Sequence, residues 1–155
     1  MRNQELSSQL QRIENLIKKT TEVSSTDLEL QAHWAKYLCV LCAGFLEDSM
    51  AQIYGEYARK SANPAVANYT YRQLERIQNP KTSRFVEIAQ QFQKSWGDEL
   101  ELFVADNGRK DAIDAIMSNR NSIVHGGNSG MTIGRLKEYL IKSVEVVEFI
   151  ETKTL

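Results

Sequence analysis

Cysteine is scarce in this chain: only Cys39 and Cys42 occur among its 155 residues. Two cysteines are too few for the disulfide framework of a small secreted protein, and they fit a reducing compartment. Their C-x-x-C spacing occurs in zinc and redox sites, but no second pair or histidine cluster supplies the remaining ligands that zinc needs. We therefore expect both thiols to pack as small hydrophobic side chains, with no metal and no cofactor.

The chain has no excess of charge of one sign and no long hydrophobic run. Its 19 Lys and Arg residues against 20 Asp and Glu residues give a net charge of 19 − 20 = −1, so any contact with a polyanion must come from a local patch. The longest apolar run, residues 37–46, is much shorter than the about 20 residues of a membrane span. The first residues also lack the apolar region of a signal peptide. These features predict a cytoplasmic protein that does not cross a membrane, formed by a single domain over residues 1–155.

Proline and glycine are also few, with two and eight residues, and apolar residues rarely alternate with polar ones as strands require. The pattern predicts an all-α fold, an antiparallel bundle of four to five main helices plus short helices. Turn signals include Asn63-Pro64, Asn79-Pro80, Asp106-Asn107-Gly108 and Gly126-Gly127. Ser24–Asp27, Thr82 or Ser83, and Thr132 are expected to begin helices. The predicted helices cover residues 3–20, 27–60, 69–78, 82–96, 98–104, 109–125 and 132–155.

One charged residue interrupts the apolar stripe of the sixth predicted helix. At about 100° per residue, Arg120 falls on the same side as Ile113, Met117 and Val124. A guanidinium there can have a functional role. Alternatively, its aliphatic stem is buried, and its head group either reaches water or pairs with a core carboxylate.

Two further polar residues follow in the same helix. Asn121 and His125 are four residues apart, so the amide could orient the imidazole. Arg120 and His125 are five apart, roughly 140° around a helix, so one chain cannot easily direct both side chains onto one small ligand. Two copies meeting at a symmetric interface could do so.

The run Arg120-Asn121-Ser122-Ile123-Val124-His125 resembles the Rx4–6H motif of the HEPN superfamily, in its R-N-x-x-x-H form. The segment Trp34–Glu47 resembles the central helix of the RiboL-PSP-like group, which is linked to bacterial toxin and defence loci. The resemblance extends from about Leu30 to the end of the chain.

The resemblance implies a homodimer in which two motifs form one metal-independent endoribonuclease site. In such a site His125 would act as acid or base, Arg120 would clamp the phosphate, and Asn121 would position either group. It also implies an RNA substrate, not DNA, and an antitoxin or other inhibitory protein as partner. Because Gly126-Gly127 replaces the x-Tyr that completes the motif in some HEPN toxins, silencing by tyrosine modification is not expected.

The family usually adds a polar or acidic residue from the long helix, and two neighbours compete for this position. Glu47 matches the family pattern, whereas helical geometry places Asp48 on the face of Trp34, Leu41 and Phe45. The alternative is that one carboxylate pairs with Arg120 and the other is solvated.

A cluster of basic residues precedes the fourth predicted helix, with Tyr69 and Tyr71 nearby, and offers either a path for single-stranded RNA or an ordinary solvated surface. It consists of Arg72, Arg76, Lys81 and Arg84. An alternative function is a non-catalytic helical interaction or nucleotide-binding module, in which Arg120 and Asn121 hold an interface. Metal-dependent hydrolysis is disfavoured, because the acidic pairs Glu47-Asp48 and Asp98-Glu99 lack accompanying histidines.

Overall fold

The computed structural model describes residues 1–155 and contains seven α-helices and no strand. The predicted all-α bundle is therefore confirmed. The helices are α1 (Gln4–Val23), α2 (Leu28–Ser61), α3 (Pro64–Glu75), α4 (Thr82–Phe92), α5 (Lys94–Val104), α6 (Arg109–Val124) and α7 (Ile133–Lys153). No helix is both long enough and apolar enough to cross a membrane.

The 34-residue helix α2 is the axis of the bundle, because α1, α3, α6 and α7 all pack against it. Helix α1 runs antiparallel to α2: near its two ends, the Gln31 amide donates to the Ser24 carbonyl and the Asn3 amide donates to Glu56. The end of α7 also lies beside the N-terminus of the chain, where Glu151 accepts from the backbone N–H of Asn3. Helix α7 therefore runs parallel to α2.

Helix α6 runs antiparallel to α7 and hence to α2. Arg109, at its start, pairs with Glu145 in the second half of α7 at 2.7 Å. In the middle of α6, the Ile116 carbonyl accepts from the Cys39 thiol at 3.5 Å. The C-terminal end of α6 therefore lies beside the N-terminal end of α2, a relationship that determines where the motif lies in the bundle.

A single cluster of 29 buried hydrophobic residues fills the space between the helices. Both cysteines belong to it and are fully buried, which confirms that they pack in the core. Burial raises the pKa of Cys39 to about 11 and raises the pKa of Cys42 still further, since the low-polarity surroundings disfavour the thiolate.

Several predicted helix ends are confirmed. Asp27 caps α2 by accepting from the Leu30 N–H at 3.0 Å, and Thr132 caps α7 by accepting from the Arg135 N–H at 3.2 Å. At the predicted turn before α6, Asn107 and Gly108 have φ values of 57° and 68°. The left-handed backbone that this turn requires explains the asparagine and glycine there.

Other predicted boundaries are wrong. Helix α3 begins at Pro64 and not near residue 69, because proline is favoured in the first turn of a helix, where its missing N–H costs nothing. The helix predicted over residues 82–96 is divided in two: α4 ends at Phe92, Gln93 is extended with φ −156° and ψ 125°, and α5 begins at Lys94. No glycine or proline marks this break in the sequence.

The N-terminus of α4 is capped by a residue that is distant in sequence. Neither Thr82 nor Ser83 is the N-cap, a position that Lys81 occupies without a side-chain hydrogen bond. Instead, the Asp114 carboxylate of α6 accepts from both the N–H and the hydroxyl of Thr82, each at 2.8 Å. This contact attaches the start of α4 to the middle of α6.

Candidate functional site

The C-terminal end of α6 carries the motif, and a regular turn ends the helix there. Gly126, with φ 75°, donates its N–H to the Ile123 carbonyl at 3.1 Å, and Gly127 donates to the Ser122 carbonyl at 2.8 Å. These two bonds form a Schellman motif, in which a left-handed residue follows the C-cap. His125 is the C-cap, so its imidazole projects from the point where the chain leaves the bundle.

Arg120 lies at the point where the buried stripe of α6 meets solvent. Ile113 and Met117, the preceding residues on this side, are fully buried, whereas Val124 is 55% exposed. The apolar stripe is therefore buried at Ile113 and Met117 and reaches solvent in the last turn of the helix. Arg120 is half-buried and makes no ion pair or side-chain hydrogen bond within the chain. A guanidinium in this setting is available to an anion from outside the chain.

The side chains of Asn121 and His125 are both exposed and make no hydrogen bond, either to each other or to another group. Their link is through the backbone, where the His125 N–H donates to the Asn121 carbonyl at 3.2 Å. The structure therefore does not contain the amide–imidazole contact expected from their spacing. Both side chains face solvent and can meet a ligand.

Asn119 holds the loop that follows the motif. Its amide donates to the Ala115 carbonyl at 2.8 Å, and its side-chain oxygen accepts from the Ser129 hydroxyl at 2.7 Å. Ser129 in turn accepts from the Met131 N–H at 3.2 Å. No sequence pattern predicts a role for Asn119 or Ser129. The only signal for them was a polar residue beside Arg120 and another within a glycine-rich loop.

The two carboxylates proposed from the long helix lie away from the motif within one chain. Glu47 accepts from the Asn79 N–H in the connection between α3 and α4, and Asp48 accepts from the Gln9 amide of α1 at 3.0 Å. Cys39 is level with Ile116, and the helices are antiparallel. At 1.5 Å per residue, Glu47 and Arg120 are therefore separated by about 18 Å along the bundle. The structure brings Arg120, Asn121 and His125 to one end and does not bring Glu47 or Asp48 to them.

A comparison with known families decides the classification of this bundle. The model of the RiboL-PSP-HEPN family matches residues 4–154, which is nearly the whole chain. The chain belongs to the RiboL-PSP-HEPN family. No curated protein matches it, and neither does any solved structure. At the level of the family, membership associates the chain with modules that are nuclease or RNA-related or are defence-associated.

The predicted basic cluster of this RiboL-PSP-HEPN chain consists of Arg72, Arg76, Lys81 and Arg84, and these residues differ in their contacts. Arg72 pairs with Glu75 at 3.5 Å and Arg84 pairs with Glu87 at 2.7 Å, whereas Arg76 and Lys81 are exposed and form no ion pair. Arg76, Lys81 and Arg84 line a cleft of about 430 Å³ at the connection between α3 and α4. Tyr69 is exposed on α3, while Tyr71 packs at the edge of the core.

Other features of the RiboL-PSP-HEPN bundle lie apart from the motif. A groove of about 700 Å³ between α1 and α7 is lined in part by Ile17, Leu140 and Ile141, and it contains no residue of the motif. No group of three or more His, Cys, Asp and Glu side chains is arranged to hold a metal ion.

Proposed function

We propose that this RiboL-PSP-HEPN chain is a metal-independent endoribonuclease whose active site combines Arg120, Asn121 and His125 from two copies in a homodimer. One observation carries the proposal. These three side chains have no hydrogen-bonding partner in the chain, whereas their neighbours Asn119 and Ser129 are engaged in a structural network. Unengaged polar groups on a rigid helix end are available for a ligand and are held in place.

The chemistry of these groups suits RNA cleavage by the ribose 2′-hydroxyl. Neutral His125 of one copy takes the proton of the 2′-hydroxyl, and the 2′-oxygen attacks the adjacent phosphorus. The bond from phosphorus to the 5′-oxygen breaks, and the protonated histidine of the other copy gives its proton to that oxygen. The products are a 2′,3′-cyclic phosphate and a 5′-hydroxyl. Histidine suits both steps because it changes charge near neutral pH.

Arg120 would stabilise the charge that develops on the phosphorane. Its guanidinium can donate two parallel hydrogen bonds to phosphate oxygens, which a lysine cannot reproduce. Its half-buried position limits the water that competes for these bonds and so strengthens the interaction. Exposed Asn121 would hydrogen-bond either to the phosphate or to the histidine of the other copy.

Two copies are needed because α6 remains helical up to Val124. An intact helix keeps the directions of Arg120 and His125 roughly 140° apart, so one chain does not direct both at one phosphate. Apolar residues at this end of the bundle support a protein interface, since Val124 is 55% exposed and Leu28, at the adjacent start of α2, is 81% exposed. A two-fold axis beside Val124 would bring two motifs face to face.

The proposal includes a role as a toxin or defence effector. A nuclease with exposed catalytic groups would also degrade the host's own RNA. The proposal therefore includes a partner, an antitoxin or other inhibitory protein, that covers the motif until cleavage is needed. The family-level association with defence supports this part of the proposal.

Incubation of the purified protein with a structured RNA in excess EDTA tests the proposal. Wild type should cleave and leave 2′,3′-cyclic phosphate ends, whereas Arg120→Ala and His125→Ala should not cleave. Arg12→Ala removes an exposed, unpaired arginine in the middle of α1, and as a matched control for Arg120→Ala it should cleave like wild type. Inert wild-type protein would instead favour the non-catalytic interaction module, and a His125→Ala variant as active as wild type would show that cleavage does not depend on His125.

A further inference from the structure

We infer that the cleft at the connection between α3 and α4 binds the backbone of single-stranded RNA several nucleotides away from the cleaved bond. The inference rests on the proposed nuclease function and adds the kind of substrate it acts on. Single-stranded binding sites use a positively charged groove that follows the nucleic-acid backbone. This cleft presents such cations and is connected to the motif along one face of α6.

The cleft presents cations that are not neutralised. Arg76 and Lys81 are exposed and unpaired, and they flank Asn79 and Pro80. Arg84 faces the same cleft but shares its charge with Glu87. The two unpaired cations are therefore the ones that can release counterions from an RNA backbone.

The nearby carboxylates are engaged in structural contacts. Glu47 accepts from the Asn79 N–H, and this bond supports the left-handed backbone conformation of Asn79, whose φ is 50°. Asp114 accepts twice from Thr82. Each carboxylate is thus oriented toward a backbone or hydroxyl donor beside the cleft, and neither lines the cleft itself.

One face of α6 connects this cleft to His125. Asp114, Ser118, Asn121 and His125 follow one another at intervals of four, three and four residues, which places them on the same side of the helix. Ser118, Asn121 and His125 are exposed, so no helix covers this face. The contact between Thr82 and Asp114 fixes the cleft at the other end of the face.

The length of this face sets the length of the RNA. Eleven residues from Asp114 to His125 span about 16 Å at 1.5 Å per residue. Stacked nucleotides advance by about 3.4 Å, so a strand following α6 places the cleft about five nucleotides from the cleaved bond. RNAs of two or three nucleotides would reach the motif without reaching the cleft.

Binding measured in a His125→Ala background tests the inference without cleavage. Fluorescence anisotropy would follow a labelled 12-nucleotide single strand and a labelled trinucleotide. Arg76→Ala/Lys81→Ala should weaken binding of the 12-mer about tenfold and make its salt dependence shallower by about 1.4, the value for two phosphate contacts on a single strand. Binding of the trinucleotide should not change.

The matched control removes one arginine and one lysine elsewhere. Arg12→Ala/Lys19→Ala alters two exposed, unpaired residues of α1, and it should bind both RNAs like the parent. Equal binding of the 12-mer by the two double variants, or an equal loss for both RNAs, would overturn the inference. If wild type fails to cleave any RNA but the length-dependent loss persists, the nuclease proposal fails and the cleft remains an RNA site.

Discussion

The Ser129 hydroxyl donates a hydrogen bond to the Asn119 side-chain oxygen at 2.7 Å, and this contact joins the loop after His125 to the helix before it. The motif is therefore held at two points. The Gly126–Gly127 turn ends α6 directly after His125, and the bond from Ser129 attaches the following loop to Asn119, directly before Arg120. A site that must meet a phosphate precisely requires such support.

Loss of this contact should lower the free energy of unfolding, and the effects of changing Asn119 and Ser129 should be coupled. We expect Asn119→Ala and Ser129→Ala each to lower the free energy of unfolding by about 1 kcal/mol. The double variant should lose less than the sum of the two single variants, because both single changes break the same bond while each also removes a separate contact to Ala115 or Met131. Urea unfolding of the four proteins measures the coupling, and simple additivity would show that the contact contributes nothing.

The cap that α6 provides for α4 gives a second prediction. Asp114→Ala should lower the free energy of unfolding by about 1–2 kcal/mol, because it leaves the Thr82 N–H without an acceptor. Asp114→Asn keeps one acceptor oxygen and should lose less. Thermal and urea unfolding distinguish the variants, and equal losses for the two substitutions would contradict a capping role.

The buried thiols should be inert in the folded protein. Since burial raises the pKa of Cys39 from 9.0 to about 11, about one molecule in 10³ carries its thiolate at pH 8. Labelling with a thiol reagent should be slow in native protein and fast in urea. Rapid labelling of native protein would contradict the burial.

The same shift predicts a loss of stability at high pH. The folded protein holds the Cys39 proton more tightly than the unfolded chain does, so this stabilisation is complete below about pH 9 and is lost as pH rises through 11. Cys39→Ala removes one of the two buried thiols and should make this part of the profile less steep than in wild type, while Cys42 still contributes. A stability profile that is identical for the variant and wild type between pH 8 and 11 would argue against the shift.

The proposed interface predicts a change of oligomeric state. Val124→Asp should convert the dimer to a monomer and reduce RNA cleavage at least tenfold, because two carboxylates would face each other across the axis. Val66→Asp is a matched control, since Val66 on α3 is also 55% exposed. Sedimentation velocity should show a dimer for the control. A dimeric Val124→Asp protein would place the interface elsewhere.

Local patterns predicted most of the helices, and they failed where a long-range contact decides the structure. Gly126 and Asp27 mark helix ends through their own conformation or side chain, so both are visible in sequence. The end of α4 depends on an extended Gln93, and its start on Asp114 thirty-two residues away. Neither feature leaves a local signal.

In the candidate site, too, local features can be predicted from the sequence, whereas features that depend on long-range packing cannot. Arg120 stood out because a charge interrupts an apolar stripe, and the structure leaves it unpaired at the edge of the core. The separation of Glu47 from Arg120 could not be predicted, because it follows from the antiparallel packing of α2 and α6, across 77 residues between Cys39 and Ile116. Family resemblance suggested that an acidic residue belongs to the site but did not show where the folded chain places it.

The central claim is that each active site needs intact motifs from two chains, and a mixing experiment tests it most directly. Wild type would be equilibrated with a tenfold excess of His125→Ala, and RNA cleavage measured per wild-type chain. With random pairing, one wild-type chain in about eleven keeps a wild-type partner, so the rate should fall about elevenfold. The double variant Val124→Asp/His125→Ala, which should not pair, should leave the rate unchanged. Unchanged cleavage with His125→Ala, despite demonstrated subunit exchange, would show that a single chain carries a complete site and would contradict the account.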